Sequence, residues 1–132
     1  MIVVDASALT AFILREEGWE ELAEHMVYTV SVDHVVKEVV NAIWKAAYLR
    51  RLINDKEAHK AYILLKTMIG KNILLEPELK YIDSAFEISM TLGIPIYDAL
   101  YLALASTKKL PLLTLDTRQK NIATRLGITT KP

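Results

Sequence analysis

The chain opens with Ile2-Val3-Val4, three β-branched apolar residues that stop at Asp5 and give way to the helix-compatible run Ala6-Ser7-Ala8-Leu9. An apolar run without alternation reads as a strand buried on both faces, and such strands belong to parallel sheets covered by helices. Few beginnings constrain a fold more. A parallel neighbour needs a crossover, so helices must separate the strands that follow. Asp5 then stands at the carboxyl end of the strand, the edge at which open α/β sheets bind ligands. An aspartate or serine here also caps the next helix. One acid therefore decides nothing unless other parts of the chain send more acids to the same edge.

The rest of the chain keeps the alternation. Helical stretches are expected at residues 6–16 and 18–26, the second with Trp19, Leu22, Ala23 and Met26 on one face. Residues 27–32 read as the second strand, and Asp33 as the N-cap of a long helix over 34–50. That helix rests on the spacing of Val35, Val36, Val39, Ala42, Ile43, Ala46 and Ala47, because valine is a poor helix former. Helices follow at 55–70 and 78–92, with Ile73-Leu74-Leu75 between them as the third strand. Pro95 opens a helix over 96–107 that is apolar almost all round and so central. Leu112–Leu115 is the fourth strand, 117–126 the last helix and 128–130 a short fifth strand. The expected fold is α/β, a three-layer arrangement of four to five parallel strands with helices on both faces. Residues 1–132 read as one domain, with no repeat or linker.

Composition narrows the function mainly by exclusion. The chain has no cysteine, so disulfides and thiolate metal sites are ruled out. No apolar stretch approaches the ~18 residues of a membrane span, and no secretory signal is recognisable, so a cytoplasmic protein is expected. Sixteen basic and sixteen acidic side chains cancel, so composition gives no reason to expect nucleic acid. A partner of that kind would have to be held by a local patch or through metal ions.

Four carboxylates fall where this fold would gather them. Asp5 and Asp116 end the first and fourth strands, Glu38 lies early in the helix after the second strand, and Asp98 lies in the first turn after Pro95. Strand ends and helix starts share one edge of a parallel sheet. Each acid has an ordinary alternative: capping for Asp5 and Asp116, a solvated face for Glu38, a dipole partner for Asp98. Asp98 strains its alternative, because Ile96–Ala103 contains no other charge and an acid there is costly unless paired or metal-bound. Gathered acids repel, a divalent cation relieves the repulsion, and oxygen-only ligands point to Mg²⁺ or Mn²⁺.

These same segments carry a resemblance. Val4-Asp5-Ala6-Ser7-Ala8, Glu38-Val39-Val40-Asn41, Tyr97-Asp98-Ala99-Leu100-Tyr101-Leu102-Ala103 and Leu113-Thr114-Leu115-Asp116-Thr117-Arg118, in that order, resemble the PIN-domain superfamily and within it the VapC-type toxins of toxin–antitoxin pairs. The resemblance covers nearly the whole length. It implies strand order 3-2-1-4-5 and a Mg²⁺- or Mn²⁺-dependent endoribonuclease using one or two ions. It also implies an RNA substrate, a cognate antitoxin protein and a homodimer. Asp5, Asp98 and Asp116 are the expected metal ligands, with Glu38 binding metal or orienting a water. Ser7, Thr114 and Asn41 are candidates for supporting the acids, and Arg118 for contacting substrate phosphate. Tyr97 and Tyr101 share a helix face; stacking on a base is one reading and packing in a crowded helix is the one expected, and the histidines carry no assigned role. A structure-specific DNA nuclease and a non-catalytic binding module are the competing readings. A phospho-acceptor receiver is disfavoured, because the late strand ends in Asp116 where lysine is required.

Overall fold

In the computed structural model, which describes residues 1–132, the strands are β1 (Ile2–Val4), β2 (Thr29–Val32), β3 (Ile73–Glu76), β4 (Leu112–Leu113) and β5 (Thr130–Lys131). The helices are α1 (Ala6–Ile13), α2 (Trp19–Ala23), α3 (His34–Trp44), α4 (Asp55–Met68), α5 (Ile82–Leu92), α6 (Ile96–Lys108) and α7 (Thr117–Arg125). The sheet has order β3-β2-β1-β4-β5, every pair parallel. Val3 is paired with Val30 on one side and Leu112 on the other. The chain thus builds outward from β1 to β3, returns, and adds β4 on the opposite flank. The reversal leaves a switch point between β1 and β4.

Successive strand residues point to opposite faces, and Ile2, Val3 and Val4 are all buried, so helices cover both faces of the centre. One cover is α6, which packs along β1, β2 and β4 and against α5. Every residue from Ala99 to Ala105 is buried, which is why this helix carries no stripe of polar residues. Helices α1 to α4 form a second group packed on one another. Gly93, at φ +67°, ends α5 in the left-handed conformation and lets the chain turn into Pro95 and α6.

Local departures from the expected elements have local causes. Helix α1 stops at Ile13 because Arg15 adopts φ +55°, with its guanidinium over the rings of Phe12 and Trp19 at 5.0 and 4.0 Å. The helix expected over 34–50 is α3 followed by a π-helical turn, Lys45–Leu49. Asp33 does not cap α3 with its side chain; its Oδ1 accepts from the Glu78 amide at 2.9 Å and ties down the exit of β3. The helix expected over 78–92 begins with a separate 3₁₀ turn, Glu78–Lys80. Buried Tyr81 interrupts it, donating its hydroxyl to Glu76 at 2.6 Å.

Candidate active site

The end of β1 shows how sequence sets the site locally. Asp5 has extended backbone at the N-cap of α1, and its Oδ1 accepts from the Ala8 amide at 3.1 Å and the Ser7 hydroxyl at 2.7 Å. Asp116 repeats the device at the end of β4, accepting from the Gln119 amide at 3.2 Å. Capping is therefore what one oxygen of each acid does. The direct hydrogen bonds to both acids fall on Oδ1, and the Thr114 hydroxyl also acts on the Asp5 carboxyl.

A chain of hydroxyls couples the two strand ends. Ser7 donates its proton to Asp5 and lies 3.3 Å from the Thr114 hydroxyl. Thr114 in turn accepts from the Asp116 amide at 3.1 Å, and Ser7 accepts from the Leu115 amide at 3.0 Å. Thr114 and Ser7 thus link the Asp116 amide to the Asp5 carboxylate. Ser7 bonds the Asp5 carboxylate, whereas Thr114 meets Asp116 through its backbone amide. Burial pushes the Asp5 carboxyl above the usual aspartate range; Thr114, Ser7 and the Ala8 amide oppose the shift, and the charge of Asp116 adds to it.

The two helix-borne acids have other neighbours. Asp98, in the first turn of α6, accepts on Oδ2 from Arg118 Nη2 at 2.9 Å. Its backbone carbonyl accepts from the buried Gln119 side chain at 2.9 Å. Burial raises the Asp98 carboxyl, Arg118 pulls it back, and Asp116 raises it again. Glu38 accepts on Oε1 from the Tyr101 hydroxyl, and His34 Nε2 stands 3.4 Å from the same oxygen. Burial, then Glu38, and then Asp5 and Asp98 push the Tyr101 hydroxyl far above its ordinary range. The charges of Glu38, Asp5 and Asp98 all act on the Tyr101 hydroxyl, and that of Asp116 acts on both aspartates.

The donor set is all oxygen and includes a buried carboxylate with its direct hydrogen bonds on one atom, which suits a hard divalent cation. In these rotamers no three acids approach a common point closely enough for one ion. Arg118 holds an oxygen of Asp98 instead, so a cation using that oxygen has to displace the guanidinium.

Asn41 is not brought to this cluster. It is exposed beside Lys37, Val40 and Trp44 on the outer side of α3, and makes no hydrogen bond with Glu38. Three residues on a helix turn through about 300°, which keeps two positions adjacent without making both face inward. His34, Tyr101 and Gln119 are the contacts the sequence alone did not assign. His34 had one legible signal, its i,i+4 spacing from Glu38. Tyr101 had none that separated it from core packing.

Comparison with known proteins agrees with this geometry. The PIN domain family model matches residues 2–125. Ribonuclease VapC3 of Pyrobaculum aerophilum is 34% identical over 119 residues, spanning 87% of this chain and 88% of that protein. Exonuclease VapC9 of the same organism is 31% identical over 114 residues, spanning 86% and 79%. The crystal structure of PAE2754 from P. aerophilum superposes with TM-score 0.66 at 23% identity, covering 96% of this chain and 94% of that one. FitAcB from Neisseria gonorrhoeae superposes with TM-score 0.59 at 20% identity, covering 100% and 97%.

Proposed function

The chain belongs to the PIN-domain family, among its VapC-type members, and from that premise we propose that it is a metal-dependent endoribonuclease acting as the toxin of a toxin–antitoxin pair. The observation that carries the reading is the set of four carboxylates at one sheet edge, each with its direct hydrogen bonds on a single oxygen. The 132 residues then work as one nuclease unit in the cytoplasm; no single helix is long and apolar enough to cross a membrane.

Asp5, Asp98 and Asp116 hold one or two Mg²⁺ or Mn²⁺ ions in this reading, and Glu38 supplies a further oxygen. A bound ion supplies a water of lowered pKa and offsets charge on the scissile phosphodiester. Asp5 and Asp116 present Oδ2 because capping fixes Oδ1. Ser7 and Thr114 keep the two strand-end acids oriented. Glu38 keeps Oε2 free to hold or orient a water, because Tyr101 and His34 take Oε1. Arg118, released from Asp98, carries its charge to a substrate phosphate.

The two relatives support a nuclease and leave the mode open, since one is named a ribonuclease and the other an exonuclease. Linear and circular RNAs, with matched DNA, separate endonucleolytic from exonucleolytic cleavage and RNA from DNA. The deciding experiment is Mn²⁺ titration calorimetry on wild type and Asp98→Ala, with cleavage assayed on the same samples. Binding and cleavage are expected to fall together in a variant that keeps its fold. A folded wild type that neither binds Mn²⁺ nor cleaves RNA would turn the assignment toward a non-catalytic binding module.

Partners follow from the surface. Leu79, Phe86 and Met90 expose apolar area near and on α5, as Tyr62 and Ile63 do on α4. Such area supports a homodimer and an antitoxin contact. A monomeric mass by light scattering at micromolar concentration would remove the dimer.

A further inference from the structure

We propose that Tyr97, stacked on His34, is a subsite for one nucleobase of single-stranded RNA at the rim of the acid cluster. The inference rests on the nuclease reading above and adds to it a place for a base.

Tyr97 lies in the first turn of α6, immediately before Asp98, within a segment otherwise buried from Ala99 onward. Helical packing alone would predict an enclosed ring, yet this residue is 55% exposed. Its ring lies parallel to the imidazole of His34, with centroids 4.8 Å apart and planes 12° apart. His34 is nearly covered, its side chain 13% exposed, and it also approaches Glu38. The pair therefore spans from α3 to α6 between two of the four acids. One face of the tyrosine rests on the imidazole, and its exposure leaves the other for a ligand.

A flat ring already held by a neighbour loses little conformational freedom when a second ring lies on it. Aromatic side chains beside a phosphate-handling site serve nucleic acid in this way, because every base has a π-face. Position points to the same occupant. Tyr97 adjoins Asp98 in the chain, and Arg118, bonded to Asp98, offers a cation to a phosphate there. A nucleotide with its phosphate beside these groups has its base within reach of the tyrosine ring. An acidic rim disfavours an anionic peptide or free phosphate. A neutral base whose phosphate is met by Arg118 and a cation suits it.

The subsite is tested by substituting Tyr97 with leucine, which still covers His34, and with phenylalanine, which keeps the ring. Three readouts are taken: steady-state cleavage, Mn²⁺ binding by calorimetry, and quenching of 2-aminopurine in a single-stranded RNA with Ca²⁺ replacing the catalytic ion. For Tyr97→Leu the expected result is a KM raised about tenfold, the range of one lost base stack. The quenching should be lost, kcat changed far less than KM, and Mn²⁺ affinity within about twofold of wild type. Tyr97→Phe should restore both KM and quenching. Equal KM and quenching in all three proteins, with Mn²⁺ binding and cleavage intact, overturns the subsite and leaves the nuclease standing. Failure of wild type both to cleave and to quench overturns the nuclease reading and the subsite with it.

Discussion

Tyr101→Phe removes one oxygen from the middle of the site and leaves the ring in its packing. The residue is 1% exposed, and its hydroxyl donates to Glu38 across 63 positions of sequence. A hydrogen bond to a charged acceptor contributes ~1.5–3 kcal/mol. The Glu38 side chain keeps 31% of its surface, so water can replace the lost donor there. That exposure places the expected loss near the low end, ~1–2 kcal/mol. In a chain of this size the shift corresponds to a Tm lower by roughly 3–8 °C. Urea unfolding in EDTA should show a lower midpoint with an unchanged slope, since a buried ring leaves the exposed surface nearly constant. The same substitution in a Glu38→Gln background faces a neutral acceptor, where a bond is worth only ~0.5–1.5 kcal/mol. The two changes should therefore couple by at least ~0.5 kcal/mol in a double-mutant cycle. An unchanged midpoint, or strictly additive losses, would refute the bond and with it the anchoring of Glu38.

Two further outcomes follow from the charges. Asp5 and Asp98 are both raised, so the native state holds their protons more tightly than the unfolded chain; their contribution is full below the ordinary aspartate pKa and is lost as pH rises through the folded values. Metal-free protein should thus lose stability from these groups as pH climbs above the ordinary aspartate range of about 4, and Asp5→Asn should flatten that slope; an identical slope in the variant would rule the cause out. Arg118→Ala removes a pair in which the arginine is 60% exposed, so stability should move by less than ~1 kcal/mol. Calorimetry should find Mn²⁺ bound up to about fivefold more tightly, because the competitor for Asp98 is gone; weaker binding would show that Arg118 organises the acid rather than competing for it.

Much of this arrangement could be read before any coordinates. Ile2-Val3-Val4 must be buried on both faces, and a chain that alternates such runs with helices has few options besides a covered parallel sheet. Parallel strands put their carboxyl ends, and the starts of the helices that follow, on one edge. Asp5, Glu38, Asp98 and Asp116 were consequently legible as neighbours from position alone. So was the central helix, because Ala99–Ala105 offers no polar face to water. These features depend on periodicity and on residues next to one another in sequence.

Tertiary structure decided what each acid touches. The bond from Tyr101 to Glu38, the hydroxyl chain from Thr114 through Ser7 to Asp5, and the pair of Arg118 with Asp98 all join residues from different elements. No local pattern encodes such pairs, because they depend on how far one element is rotated and shifted against another. The same rotation leaves Asn41 outside the cluster while its neighbour Glu38 reaches Tyr101, and lays Tyr97 on His34 instead of burying it in α6. Sequence determined which edge would gather the acids, since strand direction and helix starts are set locally. Packing determined the partner of every oxygen on that edge, since a side chain's contacts depend on the orientation of elements that only the folded chain brings together.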